Sequence, residues 1–428
     1  MVHSIHRWMI PILAAGCLAA QVTYTKEVSR ILQTKCQQCH RPNDIAPFSL
    51  DTFEKASDYK DDIKRVIEER KMPPWKPVAG HGEFAGDFSL TQEEKDQLSS
   101  WVNNGAPKGE DSDMPEPLPN RGEWVLGEPD LVLQIAESYT PPLGKDMYRC
   151  FVLPTDSVDE RFVTAVDILP GERRFVHHVI LYLDTSGKAE ELDANEEGPG
   201  YTCFGGPGTP IDASSIVSLL NGGLALGGWA PGTRPAYLPA GVGAPLPAKA
   251  RVVMQVHYYA RGGTAADQTR VGLYFTKGRP ERRLIYFPIV PLDSRGRVAL
   301  EIPAGVDKHA VTTEFMVPPL LDNHVVNVFP HMHLLGRQIK LDLIGRDGRE
   351  QPMIYIDNWD FNWQGPYTYT KSIAAQAFSR FRLSCTYDNT ESNPRNPNNP
   401  VKTVRWGEGT EDEMCVAFLG VTLDFLRN

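Results

Sequence analysis

The run Val328-Phe329-Pro330-His331-Met332-His333-Leu334-Leu335-Gly336 sets two histidines two residues apart among apolar and β-branched neighbours that read as a strand. In a strand, side chains at i and i+2 leave the same face, so His331 and His333 form a chelating pair. A lone His-x-His is more often two unrelated histidines, but this pair is not alone. Phe175-Val176-His177-His178-Val179-Ile180 and Met254-Gln255-Val256-His257-Tyr258 carry imidazoles in similar settings, and Glu413-Met414-Cys415 offers a thioether. Imidazole suits copper, zinc and iron alike, whereas a thioether beside two imidazoles favours copper. His177 and His178 are adjacent and would face opposite ways in a regular strand. Both reach one metal only at a strand end or a bulge.

A different chemistry is written at Cys36-Gln37-Gln38-Cys39-His40, the attachment pattern of a c-type haem, with two thiols for covalent bonding and a histidine for the iron. Around it, Lys26–Lys35 and Asp51–Arg70 read as helices, and Thr91-Gln92-Glu93-Glu94 is a capping box opening a helix that runs to Asn104. Met72, in Lys71-Met72-Pro73-Pro74-Trp75, is the expected sixth ligand of the iron, with His81 or water as the alternatives. Residues 22–108 resemble a class I-like cytochrome c domain.

The copper motifs also carry a resemblance. His177-His178, Gln255-Val256-His257-Tyr258, His331-Met332-His333 and Glu413-Met414-Cys415, in this order, resemble the type II copper, ascorbate-dependent monooxygenases, the family of peptidylglycine α-hydroxylating monooxygenase and dopamine β-monooxygenase, over roughly residues 130–428. That resemblance implies two copper ions. His177, His178 and His257 would hold one that stores an electron; His331, His333 and Met414 would form the catalytic site where dioxygen and substrate meet. It also implies disulfides Cys150–Cys203 and Cys385–Cys415, two of six remaining cysteines being claimed by the haem motif; spacing alone leaves three pairings open. Tyr148 matches a family tyrosine. Where the peptide-amidating members bind a substrate carboxylate, with an arginine and polar side chains, this chain has Phe329, Val416 and Phe418. Desolvating a carboxylate there is costly, so a less polar or aromatic C–H substrate is expected rather than a C-terminal glycine peptide.

The rest of the chain must position these groups. Short β-branched runs with turn signals follow one another from Asp130, the pattern of sandwiches or barrels. The expected architecture is multidomain: a small all-α cytochrome c domain over 22–108, a Pro-rich linker over 109–129, and two tandem antiparallel, jelly-roll-like β-sandwich domains over 130–285 and 286–428. The second boundary rests on prolines near Arg279–Pro291. The stretch from Trp359 to Gln364 with Tyr367 is either an aromatic wall of a substrate pocket or a core cluster, the plainer reading. Gly222–Pro247 reads as an ordered long loop without a catalytic role.

Residues 1–20 read as a signal peptide, their apolar run being shorter than the ~20 residues a membrane helix needs. Cleavage after Ala20 competes with a lipoprotein-like box that would leave a lipid anchor on Cys17. An exported chain, periplasmic or at the cell surface, is therefore expected. The formal charge of −10 and pI near 5.6 exclude a nucleic-acid partner on electrostatic grounds. Together these features predict a copper-dependent monooxygenase that hydroxylates a C–H bond of a small organic substrate with O2, its electrons passed from an external donor through the haem. The alternative is an exported haem and copper protein for electron transfer or copper handling.

Overall fold

The structure, a computed structural model, describes residues 21–42, 46–118, 123–144, 146–203, 206–209, 225–231, 233–260, 263–318, 323–407 and 409–423. The expected signal peptide and Cys17 lie outside these. Two compact units emerge: one contains Phe48–Pro73 and Leu90–Leu118 with the residues up to Pro42, the other Pro74–Ser89 and the chain from Pro119 onward.

The first unit consists of short helices and connecting loops round Tyr24, Leu32, Leu98 and Trp101. Tyr24–Val28 and Leu32–Cys36 are π-helical turns on either side of Ser29–Ile31. Phe53–Asp58 and Lys60–Glu68 follow, and Gln92–Asn103 begins at a capping box in which Thr91 and Glu94 satisfy each other's backbone N–H groups.

The expectation of an all-α cytochrome c domain over 22–108 is overturned. The chain is mainly β-sheet with few short helices, the longest among the described residues spanning 12 residues. The middle of the proposed domain, Pro74–Ser89, belongs to the β unit. The reason is local: the preceding helix ends at Glu68, Arg70 takes a left-handed φ of 55°, and the aromatic side chains beyond Pro73 and Pro74 find apolar partners in the β unit. Phe84 lies 5.0 Å from the ring of Tyr369 and Trp75 5.3 Å from that of Tyr367. Backbone bonds from Ala85 N–H to Thr368 O (2.8 Å) and Thr370 N–H to Glu83 O (2.9 Å) fix the segment along the Tyr367–Ala375 strand.

The β unit is built on a sheet of eight strands in the spatial order Leu131–Gln134, Arg270–Phe275, Arg161–Leu169, Val242–Leu246, Arg282–Ile289, Val416–Leu423, Asn323–His331 and Tyr367–Ala375. It backs two cores. Its first half packs on a five-stranded sheet centred on Arg251–Tyr259, burying Phe151, Leu181, Met254 and Leu273. Its second half packs on a four-stranded sheet containing Gly336–Ile344 and Arg380–Tyr387, burying Val328, Leu341, Leu383 and Leu419. The stretch that the prolines marked as an interruption is itself a strand, Arg282–Ile289. Its parallel partner pairs only at Arg282 and Arg283, so the missing N–H of Pro288 breaks no ladder on that side.

Both disulfides implied by the resemblance are present, Cys150–Cys203 and Cys385–Cys415. They are consistent with an exported protein. Among the described residues no helix is long and apolar enough to cross a membrane.

Candidate metal centres and their cavity

His178 on Val176–Asp184 faces His257 on the antiparallel Arg251–Tyr259 strand, and the register slips between Val176 and His178. That bulge resolves the difficulty of two adjacent histidines, because it turns His177 toward the side on which His178 lies. One ring nitrogen from each of His177, His178 and His257 lies within 4.8 Å of the others. The His178 Nδ1 stands 3.2 Å from His177 Nδ1 and 3.4 Å from His257 Nδ1. All three are buried. Burial, then the neighbouring imidazoles, hold His178 well below the usual histidine range and so neutral, the form that binds metal. Tyr148 stacks on His257 at 4.2 Å, and Phe361 on His177 at 4.7 Å.

His331 ends its strand and His333 lies in the turn before Gly336–Ile344, so the pair is not held by a regular ladder. Their rings are 5.0 Å apart and nearly perpendicular. Other contacts orient them. His331 Nδ1 is 2.5 Å from Gln364 Oε1, and His333 Nδ1 is 3.1 Å from the carbonyl of Asp412. With Nδ1 donating to an oxygen, each ring presents Nε2 for a ligand. Burial lowers His331 to about 3, again a neutral imidazole. The turn is closed by Trp359, whose Nε1–H donates to the His333 carbonyl at 3.1 Å. Gly336 is required beside it, since a Cβ there would stand 2.8 Å from the Trp359 ring.

Met414 reaches the same cavity from just before the Val416–Leu423 strand, whose Val416 pairs with His331. Buried Glu413 accepts the backbone N–H groups of His333 (2.9 Å), Leu335 (2.6 Å) and Met414 (3.1 Å), and so ties the histidine turn to the methionine. Burial pushes its carboxyl up to about 8 against those N–H groups, which pull the other way. The Cys385–Cys415 bond follows Met414, and Tyr387 O–H donates to the Met414 carbonyl at 2.8 Å.

His178, His331, His333 and Met414 all line one cavity of about 370 Å3, whose wall is largely apolar. Phe361 links the two histidine groups: the ring that stacks on His177 meets His333 edge-on at 6.0 Å. The aromatic stretch divides. Trp359 is core, whereas Trp363, Gln364 and Tyr367 line the cavity, as do Phe329 and Phe418.

Sequence reasoning missed Trp75, Phe88 and Arg234 in that lining, and the bridging part played by Glu413. Arg234 sits in the long loop to which no role was given, and nothing in its Pro-Gly-Thr-Arg-Pro context signals a cavity.

In the first unit, Cys36 and Cys39 are half-buried thiols outside the two disulfides, and burial pushes the Cys36 thiol up to about 12. His40 Nδ1 lies 3.2 Å from the Phe48 carbonyl. Met72 is half-buried in the same unit, before Pro73, whereas His81 belongs to the β unit, 5.2 Å from the ring of Tyr355.

Among solved structures, the chain is similar to the major capsid protein P2 of bacteriophage PM2, at 10% identity over 68% of this chain and 97% of that one, with a TM-score of 0.27. It is also similar to PNGF-II, at 8% identity over 68% and 65%, with a TM-score of 0.30. Likeness of this degree says nothing about the chemistry of this chain. The C-terminal part of the β unit is more informative: residues 311–421, which include His331, His333 and Met414, match the model of the copper type II ascorbate-dependent monooxygenase family, C-terminal domain.

Proposed function

We propose that the chain is a copper-dependent monooxygenase acting on a small organic C–H substrate, with His177, His178 and His257 holding one copper ion and His331, His333 and Met414 a second. The observation that carries this reading is the meeting of imidazoles and a thioether on one mostly apolar cavity, with His331, His333 and Met414 inside the region that matches the family. The donors fit the metal: five neutral-capable imidazoles suit both copper oxidation states, and the soft thioether favours Cu(I). Copper would supply the one-electron steps of the reaction, R–H + O2 + 2 e− + 2 H+ → R–OH + H2O.

The residues around the donors define what the protein contributes. Gln364 and the Asp412 carbonyl fix the ring orientation of His331 and His333. Glu413 holds the histidine turn and Met414 at a constant separation. Phe329, Phe418 and Trp363 give the cavity an apolar wall, which suits a substrate of low polarity. Tyr148 and Phe361 restrain His257 and His177 by stacking.

The electron supply is part of the proposal. Cys36 and Cys39 are read as the attachment points of a c-type haem and His40 as its ligand, its Nδ1 being engaged by the Phe48 carbonyl so that Nε2 is left to bind the iron; Met72 is read as the sixth ligand. This rests on the Cys-x-x-Cys-His motif and the His40 contact. An external reductant would feed it. Export to the periplasm or cell surface, with Cys17 as a lipid site, completes the reading.

Oxygen uptake tests it. Copper-loaded, reduced protein is expected to consume O2 in step with substrate across a panel of C–H compounds, and Met414→Ala to abolish uptake while sparing copper at the three-histidine site. Uptake that never exceeds the stored electrons would make the chain an electron-transfer or copper-handling protein instead. Unchanged Cu(I) affinity and oxygen reactivity in Met414→Ala would refute the ligand assignment.

A further inference from the structure

The cavity has a floor that metal binding does not use. In an antiparallel sheet, directly paired residues share a face, and so do positions two apart along a strand. Tyr286 and Asn327 both pair with Gly420, and Pro288 and Phe329 both pair with Phe418. His331 stands two residues beyond Phe329 on the same strand. All of these but Gly420 line the cavity.

Gly420 makes the first row possible. A Cβ there would collide with Asn327 Oδ1, so its absence lets the amide lie across the middle strand and reach Tyr286. Asn327 Nδ2 donates to the Tyr286 hydroxyl oxygen at 3.2 Å. The Tyr286 O–H has no acceptor among the described residues, and its half-buried side chain keeps surface on the cavity. Burial raises that hydroxyl above the ordinary tyrosine value, with the Asn327 bond pulling the other way, so the proton is retained. With the amide occupying one side of the oxygen, the proton is left to serve a ligand.

Beyond this polar pair the cavity is apolar at Phe329, Phe418, Ile180 and Leu284, and among the described residues no carboxylate lines it. A ligand cation would be desolvated there without a partner, a cost that a neutral molecule avoids. The strand carries Asn327 and His331 about 13 Å apart, at about 3.3 Å per residue.

We propose that the cavity binds an elongated, neutral, largely apolar molecule that carries an oxygen, with that oxygen accepting from Tyr286 O–H, the body on Phe329 and Phe418, and the far end at His331. Asn327 is a positioning residue that directs the tyrosine proton. Only the oxidation of the far end rests on the monooxygenase reading; binding needs no metal.

The test is therefore made on the metal-free, full-length protein, following tryptophan fluorescence and calorimetry with 1-octanol, with octylammonium, and with 1-fluorooctane, whose fluorine is a poor acceptor. Tyr286→Phe is expected to weaken 1-octanol by about 2- to 10-fold, the usual worth of one neutral hydrogen bond, and to leave 1-fluorooctane unchanged, which also shows that the cavity is intact. Asn327→Leu should reproduce that selective loss, whereas Phe418→Ala should weaken both compounds together. Octylammonium should bind at least about 10-fold more weakly than the alcohol. A 1-octanol affinity unmoved by Tyr286→Phe, an equal loss for both compounds in that variant, octylammonium binding as tightly as the alcohol, or no binding of any of the three overturns the proposal. In the copper-loaded, reduced protein, 1-octanol should drive oxygen uptake and gain its new hydroxyl in the half of the chain distant from the first; a new hydroxyl beside the first overturns the placement of the ligand. If 1-octanol binds through Tyr286 but no oxygen is taken up with it, the recognition stands and the monooxygenase reading fails.

Discussion

The backbone N–H of His333 donates to Glu413 Oε2 at 2.9 Å, so a buried carboxyl spans the turn bearing two imidazoles and the residue before Met414. Glu413→Ala would leave the buried N–H groups of His333, Leu335 and Met414 without acceptors, at about 1–3 kcal/mol each. The variant is expected to lose several kcal/mol in denaturant unfolding, and Glu413→Gln, which keeps one oxygen acceptor, to fall between. A wild-type unfolding midpoint in Glu413→Ala would contradict this account of the turn.

Gln364 touches His331 at Nδ1, the ring nitrogen that is not the one proposed to bind copper. Its Oε1 stands 2.5 Å from His331 Nδ1, and its Nε2 donates to the Phe361 carbonyl at 2.8 Å, so the amide has a fixed orientation. Gln364→Leu should lower Cu(I) affinity at the His331 site by about 10–100-fold, the usual effect of losing such a partner, in competition with a coloured chelator. Gln364→Glu, which retains the acceptor, should recover most of it. Affinity that is the same in all three proteins would show the contact to be idle.

Asp167 gives a pH dependence whose sign is fixed. Its carboxyl is buried and accepts the Val125 N–H at 2.8 Å; burial raises it above the ordinary carboxylate value, with that bond pulling the other way. A folded-state pKa above the unfolded one contributes stability that is present below about pH 4 and is lost as pH rises through the folded pKa. The stability of the wild type relative to Asp167→Asn should therefore decline from about pH 4 toward neutrality. An increase over that interval, in matched urea titrations, would reverse the assignment.

The Cys385–Cys415 bond closes a loop of 30 residues. On loop-closure grounds, replacing both cysteines with serine should cost about 3.5 kcal/mol. Because the bond directly follows Met414, Cu(I) affinity should fall with it, whereas the corresponding Cys150/Cys203 replacement should leave Met414 undisturbed. Equal copper affinity in the two variants would separate the bond from the site.

Much of the β unit was legible because its strands are runs of β-branched and aromatic residues bounded by turns, as at Arg251–Tyr259, which is buried along nearly its whole length. His309–Met316 was not, because its exposure alternates along a largely polar stretch with little apolar signal. Residue types announced the imidazoles and thioether; nothing local announced what orients them, since Gln364 and Glu413 act on residues 33 and 80 positions away. The all-α reading of the N-terminal region failed for a related reason. Helical periodicity describes a segment and not the body it packs against, and Trp75, Phe84 and Phe88 satisfy their apolar surface on the β unit.

Glu83 and Thr370 are hydrogen-bonded although 287 residues separate them. A contact of that span forms only after most of the chain exists, and the entropy of closing so long a loop is met before any of its bonds reward it. In a chain made from its N-terminus, Trp75, Phe84 and Phe88 are thus among the first aromatic residues to emerge and among the last of them to find their partners. Until then they form an exposed apolar strip, the part of the nascent protein most in need of protection from aggregation.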